Sequence, residues 1–211
     1  MSTTPITKLN LGCGMNKAPA EEGWLNVDAW VGCKPDVAWN LEHVPWELGQ
    51  EGLYLPDSTV TEVHMNHVLE HLGADPTVFQ GVIQELYRVC ADGARLTVTV
   101  PSVWHQDFWG DPTHVRGVVP ELFILLNREA CAEIRARGGA NTPLAEMWGV
   151  DFVLERNEAV IDPGLSHYTS TDPQLQTMMM RQLNVVKEWR MQIRVRKPAW
   201  VPAEAILGTG P

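Results

Sequence analysis

The sequence predicts an α/β domain on a mostly parallel sheet, with helices on both faces and one late antiparallel strand. Three observations predict it. A short apolar strand, Thr7–Leu11, runs into Gly12-Cys13-Gly14, and a second strand, Trp24–Val27, is closed by Asp28. Residues 60–100 read as strand, helix, strand, which implies a right-handed parallel unit. Near the end of the chain Trp189, Met191, Ile193 and Val195 alternate with Arg190, Gln192, Arg194 and Arg196. That period of two marks a strand with one wet face.

The remaining elements follow in order. Met15 to Gly23 is short for a crossover helix, since a whole parallel connection normally takes about 10–12 residues or more, so a loop or a single helical turn is expected. Val60–Met65 is a third core strand. The spacing of Phe79, Val82, Ile83, Leu86, Val89 and Cys90 predicts a helix over Pro76–Cys90, with Asp75 as N-cap and Pro76 at the first helical position. Asp92-Gly93 ends it, and Ala94–Val100 follows as a β-branched strand stopped by Pro101. Ser102–Gly117 is a polar, aromatic-rich loop. Pro120–Arg137 is helical with a break at Asn127, Asp151–Ile161 is a strand, and Gln174–Val186 is a helix. Residues 1–197 make the domain and Pro198–Pro211 a tail.

Composition narrows the class. The chain has 211 residues, which favours one domain able to bury about 70% of its unfolded surface. Its 45% hydrophobic and 20% charged residues are ordinary for a globular protein and argue against disorder or a coiled coil. The net charge of −10 argues against free nucleic acid as the main partner, because neutralising phosphates needs clustered cations. The densest basic stretch, Arg190, Arg194, Arg196 and Lys197, reads as a solvated strand face. Cys13, Cys33, Cys90 and Cys131 form no CxxC pair and read as reduced thiols of a cytoplasmic protein. MSTTPITKLN has no apolar run of a signal peptide, and no stretch nears the roughly 20 apolar residues of a membrane span. Apolar Val118–Leu126 would serve a homodimer as well as a core.

Gly12-Cys13-Gly14 directly follows a strand, at the sheet edge where open α/β sheets bind ligands. Residues without a Cβ let backbone pass close to a ligand there, although a tight turn alone would use them too. Asp28 ends the next strand, where a carboxylate can accept both hydroxyls of a ribose or simply cap a turn.

LNLGCG (Leu9–Gly14), NVD (Asn26–Asp28), HVLEHL (His67–Leu72) and ELYRVCADGARLTVTVPS (Glu85–Ser102) stand in the order seen in class I S-adenosylmethionine (SAM)-dependent methyltransferases. The sequence resembles that family, in its type 11-like branch, over roughly its first 125 residues. The resemblance implies a Rossmann-like class I methyltransferase fold and SAM as cofactor, with S-adenosylhomocysteine as product. It places Leu11, Gly12, Cys13 and Gly14 beneath the amino-acid end of SAM, and Asp28 with Ala29 at the ribose. Asn40 and Leu41 fall near adenine, where the family often has an acidic residue, and Asn66 and His67 face the methionine part. Trp30 would cover the adenine face, with Trp39 and Trp46 in the nearby core. Two departures stand out: the short first crossover, and Ala91-Asp92-Gly93-Ala94 in place of Lys-Pro-Gly-Gly.

His67, Glu70 and His71 lie at i, i+3 and i+4, and the loop after Pro101 adds His105, Asp107, Asp111, His114 and Arg116. If the first segment is helical, its three polar residues share a face, and two imidazoles, a carboxylate and a distant imidazole suit a divalent metal. The segment is similar to the Glu-x-x-Glu-His motif of small-RNA 2′-O-methyltransferases and ubiquinone-pathway O-methyltransferases, with His67 in place of the first Glu. His114, in DPTHVRGVVPELF, corresponds to the later histidine of the RNA enzymes. That resemblance implies a metal held by His67, Glu70, His71 and His114. Without a metal, the same residues cap, orient or contact substrate, and His71 or His114 would be a general base with Asp111 orienting His114. Arg116 would meet a substrate anion or an acidic neighbour.

These readings favour O-methylation of a small-molecule hydroxyl. The alternatives are a non-catalytic SAM-fold binding or assembly protein and a nucleic-acid 2′-O-methyltransferase. A nicotinamide-dependent oxidoreductase fits poorly, because Met15-Asn16-Lys17 follows Gly14 where GxGxxG needs its last glycine.

Overall fold

The computed structural model describes residues 6–48, 55–199 and 201. Its strands are Lys8–Leu11 (β1), Trp24–Asp28 (β2), Val37–Ala38 (β3), Val60–Asn66 (β4), Cys90–Pro101 (β5), Phe152–Ile161 (β6) and Val186–Val195 (β7). They form one sheet in the order β3-β2-β1-β4-β5-β7-β6. The first five pair in parallel, and β7 runs antiparallel between β5 and β6. The mostly parallel sheet with a late antiparallel strand is therefore present as predicted.

The helices are Pro76–Val89 (α1), Gln106–Trp109 (α2), Glu121–Leu125 (α3), Arg128–Ala136 (α4), Leu144–Trp148 (α5) and Pro173–Arg181 (α6). α1 starts because the Asp75 carboxylate accepts the Thr77 N–H at 2.7 Å and Pro76 needs no donor there. The break expected at Asn127 is real: its side chain accepts the Ala130 N–H at 2.8 Å and caps α4.

The core lies on one sheet face. Leu9, Leu11, Val63, Met65, Leu96, Val98, Met191 and Ile193 are buried against Phe79, Val82, Ile83 and Leu86 of α1 and Phe123 of α3. Each fully buried side chain of this size contributes roughly 1.5–3 kcal/mol. Val118, Phe123 and Leu126 belong to this core, which accounts for the apolar run there.

α1 and α3 pack on this face. The opposite face presents Asn10, His64, Asn66, Thr97, Arg190 and Gln192, of which Asn66, Thr97, Arg190 and Gln192 are exposed. The first crossover is short, as expected. Between β1 and β2 there is only a loop with a single 3-10 turn at Ala20–Glu22. Two buried asparagines satisfy that loop. Asn10 Nδ2 donates to the Asn16 carbonyl and to Asn26 Oδ1, each at 2.9 Å. Asn26 Oδ1 accepts the Ala18 N–H at 2.8 Å, and its Nδ2 donates to the Ala18 carbonyl and to Asp36. Side-chain amides thus supply the partners that a helix would otherwise provide internally.

Three boundaries differ from expectation. The helix before β7 ends at Arg181, and Val186 already opens the strand that was expected to start near Trp189. Asp92-Gly93 lies inside β5 rather than at the end of α1. The register slips between Val60 and Glu62 there, and Gly93 takes φ +75° to make the bulge. The expected tail beyond Lys197 is described only at 198, 199 and 201; its other residues lie outside the described residues.

The basic stretch carries partners. Arg190 pairs with Glu188 at 2.7 Å, Arg194 with Glu155 at 2.6 Å, and Arg196 with Asp151 and Glu129, both at 2.8 Å. Lys197 Nζ donates to the Cys90 carbonyl at 2.6 Å. No helix among the described residues is long and apolar enough to cross a membrane.

Asn26→Ala is expected to lower the unfolding free energy by about 3 kcal/mol, because it orphans several buried polar groups at once. Denaturant unfolding of the two proteins checks this; a loss no larger than that of an exposed Asn→Ala change would show that the crossover does not depend on the amide.

Candidate active site

The carboxyl ends of β1, β2 and β4 converge on Gly12. Gly12 takes φ +63°, and a Cβ there would sit 2.3 Å from Val68 Cγ2. Only glycine lets the turn pass against that wall. Gly14 N–H donates to Asp28 Oδ2 at 2.8 Å, and Trp30 N–H donates to Asp28 Oδ1 at 2.8 Å. The Asp28 carboxylate is thus fixed between the two loops, with lone pairs left over on both oxygens.

Two cavities meet here. One, of about 490 Å³, is lined by Gly12, Cys13, Gly14, His64, Asn66 and His67 among others. The other, of about 260 Å³, is lined by Gly12, Asp28, Ala29, Trp39, Asn40, Leu41, His67 and His71 among others. They share Gly12 and His67. Every residue expected at the cofactor lines one of them except Leu11, which is buried beneath. The expected aromatic cover differs. Trp39 lines the smaller cavity, whereas the Trp30 ring lies over Gly32 and is 62% exposed. Trp46 is core, as expected.

The histidine segment is not a continuous helix. His67 takes φ +55°, a left-handed conformation costly for a side chain with a Cβ, and a 3-10 turn at Leu69–His71 follows. His67 therefore stands apart from one shared helical face. Its Nδ1 lies 3.3 Å from Glu70 Oε1 and its Nε2 3.3 Å from Glu188 Oε2. The close Glu70 carboxylate raises the His67 pKa above its ordinary value, against the opposing effect of burial.

Glu70 is fully buried, and neither of its carboxylate oxygens makes a hydrogen bond among the described residues. Its backbone carbonyl accepts the Val115 and Arg116 N–H groups at 2.9 and 3.1 Å, which pulls the second loop onto the turn. That contact brings His114 beside His71, ring centroids 4.7 Å apart. One ligand atom from each of Glu70, His71 and His114 falls within 4.8 Å of the others. His67 is not part of that group.

Hydrogen bonds set both tautomers. The Thr113 hydroxyl gives its single proton to Asp111 Oδ1 at 2.6 Å, so it accepts from His71 Nδ1 at 2.9 Å. His114 Nδ1 donates to the Phe108 carbonyl at 2.7 Å. In its neutral form each imidazole therefore carries its lone pair on Nε2. Asp111, expected to orient His114, lies 3.9 Å from its Nε2 and acts mainly on His71 through Thr113. The Thr113 hydrogen bonds hold the Asp111 carboxyl below its ordinary pKa. Thr113 was missed because a lone threonine in a loop carries no spacing signal. Arg116 pairs with no acidic side chain among the described residues: it donates to the Gly73 carbonyl and its guanidinium stacks 4.1 Å over Phe79. His105 is buried and contacts Asp162 at 3.1 Å, away from this group.

Glu85 and Arg88 of the ELYRV segment also have a place. Glu85 accepts the Trp46 N–H at 2.7 Å, and Arg88 pairs with Glu85 at 2.8 Å and with Asp57. They clamp the segments between β3 and β4 onto α1.

No family model matches the sequence, and no curated protein matches it. Solved structures do. A SAM-dependent methyltransferase from Archaeoglobus fulgidus superposes with a TM-score of 0.57 at 17% identity, covering 89% of this chain and 85% of that one. A SAM-dependent methyltransferase from Methanosarcina mazei gives 0.48 at 14% identity, over 90% and 92% of the two chains. The [4+2]-cyclase SpnF gives 0.48 at 15% identity, over 91% and 76%. The Archaeoglobus likeness shows the fold: a Rossmann-like class I methyltransferase fold.

Thr113→Val is expected to release the His71 tautomer. Nitrogen NMR of the ring should change from a pure Nδ1–H form to a mixture, with the fold intact. An unchanged Nδ1–H signal would show that Thr113 does not set it.

Proposed function

We propose that this chain is a SAM-dependent methyltransferase that methylates a hydroxyl of a small molecule. The single observation that carries the reading is the fixed Asp28 carboxylate facing a glycine turn whose wall a Cβ would fill, at the switch edge of a class I methyltransferase fold. The site fits the cofactor: Asp28 has lone pairs for ribose hydroxyls, Asn40 and Trp39 line the adenine side, and Gly12, Asn66 and His67 line the methionine side.

The sulfonium of bound SAM supplies an already activated methyl group. What remains for the protein is to align the acceptor, exclude water and take a proton. His71 and His114 suit the last task, since each presents Nε2 with its tautomer locked. A third cavity, of about 550 Å³, lies between α6 and the start of β7 and is walled by Trp104, Met179 and Trp189. Its apolar walls suit the body of the acceptor, and the buried Trp189 Nε1, which has no hydrogen-bond partner among the described residues, offers it a donor.

A divalent metal also fits. The orphaned Glu70 oxygens and two imidazole lone pairs make a two-nitrogen, one-carboxylate donor set, with His67 next to Glu70. Such a metal, when bound, would acidify a hydroxyl. Arg190 and Arg194 of β7 and Arg196 just after it are each paired with a carboxylate, which favours a small acceptor over a nucleic-acid backbone.

Asp28→Ala is expected to weaken S-adenosylhomocysteine binding about a hundredfold, from two lost charge-assisted hydrogen bonds worth together ~3 kcal/mol. Calorimetric titration measures it; equal affinity would remove the ribose assignment. Glu70→Gln is expected to weaken Mn²⁺ binding by more than about tenfold while leaving nucleoside binding unchanged. Competition with a chelating dye measures the first; unchanged Mn²⁺ affinity would remove the metal assignment and leave His71 and His114 as bases alone.

A further inference from the structure

A second cluster of ligand atoms lies beneath the glycine turn. Cys13 Sγ, Cys33 Sγ and a carboxylate oxygen of Asp28 all fall within 4.8 Å of one another. Cys13 and Cys33 are 4% and 3% exposed; the sequence places Cys13 at the cofactor turn and gives Cys33 no role beyond a reduced thiol. They come from separate loops, Cys13 from the turn after β1 and Cys33 from the 3-10 turn at Val31–Cys33. Hydrogen bonds preset the arrangement: Cys33 Sγ donates to the Trp30 carbonyl at 3.0 Å, and the Gly14 and Trp30 N–H groups orient Asp28. Cys13 also lines the larger cavity, which gives an ion a way in.

We propose that Cys13, Cys33 and Asp28 form a site for a thiophilic divalent cation of the Zn²⁺ class. Two sulfurs and one oxygen are a donor set that favours such an ion over Mg²⁺ or Ca²⁺, and the cavity leaves the fourth position open. Binding one ion exchanges two thiol protons for two metal–sulfur bonds; nothing is oxidised. This site is separate from the Glu70 group, which has no sulfur. It rests on the ribose assignment at one point only: the ion and the ribose would both take Asp28, so the proposal has the ion and the nucleoside compete.

The experiment is titration of the full chain, after chelator treatment, with Cd²⁺, read by ultraviolet thiolate-to-cadmium charge-transfer absorption. One equivalent should produce the band. Cys33→Ser should abolish it, Cys131→Ser should keep it, and circular dichroism should show both variants folded. Excess S-adenosylhomocysteine should bleach the band. No band in the parent protein, or a band that survives Cys33→Ser, would overturn the site. A band indifferent to the nucleoside would overturn the competition. Calorimetric binding of the nucleoside to metal-free protein is read separately, so failure of the cofactor reading is distinguishable from failure of this one.

Discussion

Two parallel strands, β1 and β2, are joined across Met15–Gly23 by a loop with a single 3-10 turn rather than an α-helix. The amides of Asn10 and Asn26 hold the connection instead. Most of the cleft depends on this constraint. The loop that Asn10 and Asn26 hold is the continuation of the glycine turn, and Asn26 is two residues before Asp28 in the same strand. Asp36, which accepts from Asn26, ties the stretch leading to β3 into the same network. An amide pair inside the sheet face therefore positions both sides of the candidate cofactor site. The larger cavity lies over the polar residues of this face, between β1, β4 and β5.

The other half of the site is organised around Glu70. A buried carboxylate without hydrogen bonds is costly unless a charge compensates it. His67 stands beside it, and the loop carrying Thr113 and His114 is fastened to its backbone. The left-handed backbone at His67 makes this possible, because it turns the chain from β4 directly into the 3-10 turn. Strain at that residue belongs with the buried carboxylate that lacks hydrogen bonds: both are the kind of cost that a functional site retains.

Much of this is legible in the sequence. Strand periodicity, Asp75-Pro76 and Asn127 locate β1, β4, β7, α1 and the start of α4, because each depends on local pattern or capping. The lining of the cleft, from Gly12 to Asp28, follows from motif order. Less visible are features that depend on contacts between distant segments. Spacing puts His67 on a shared helical face with Glu70 and His71, but the extended pairing of His67 N–H with Thr99 overrides it. Thr113, Glu85 with Arg88, and the pairing of Cys13 with Cys33 appear only once separate loops are brought together. The length of the first crossover does point to the single turn found there.

The most direct test of the account is a crystal structure of the chain with S-adenosylhomocysteine. The account predicts ribose hydroxyls within hydrogen-bond distance of the Asp28 carboxylate, adenine beside Asn40 and Trp39, and the amino-acid end running over Gly12 toward Asn66. A nucleoside bound elsewhere, or an empty cleft at saturating nucleoside, would contradict it and leave a class I methyltransferase fold turned to another use.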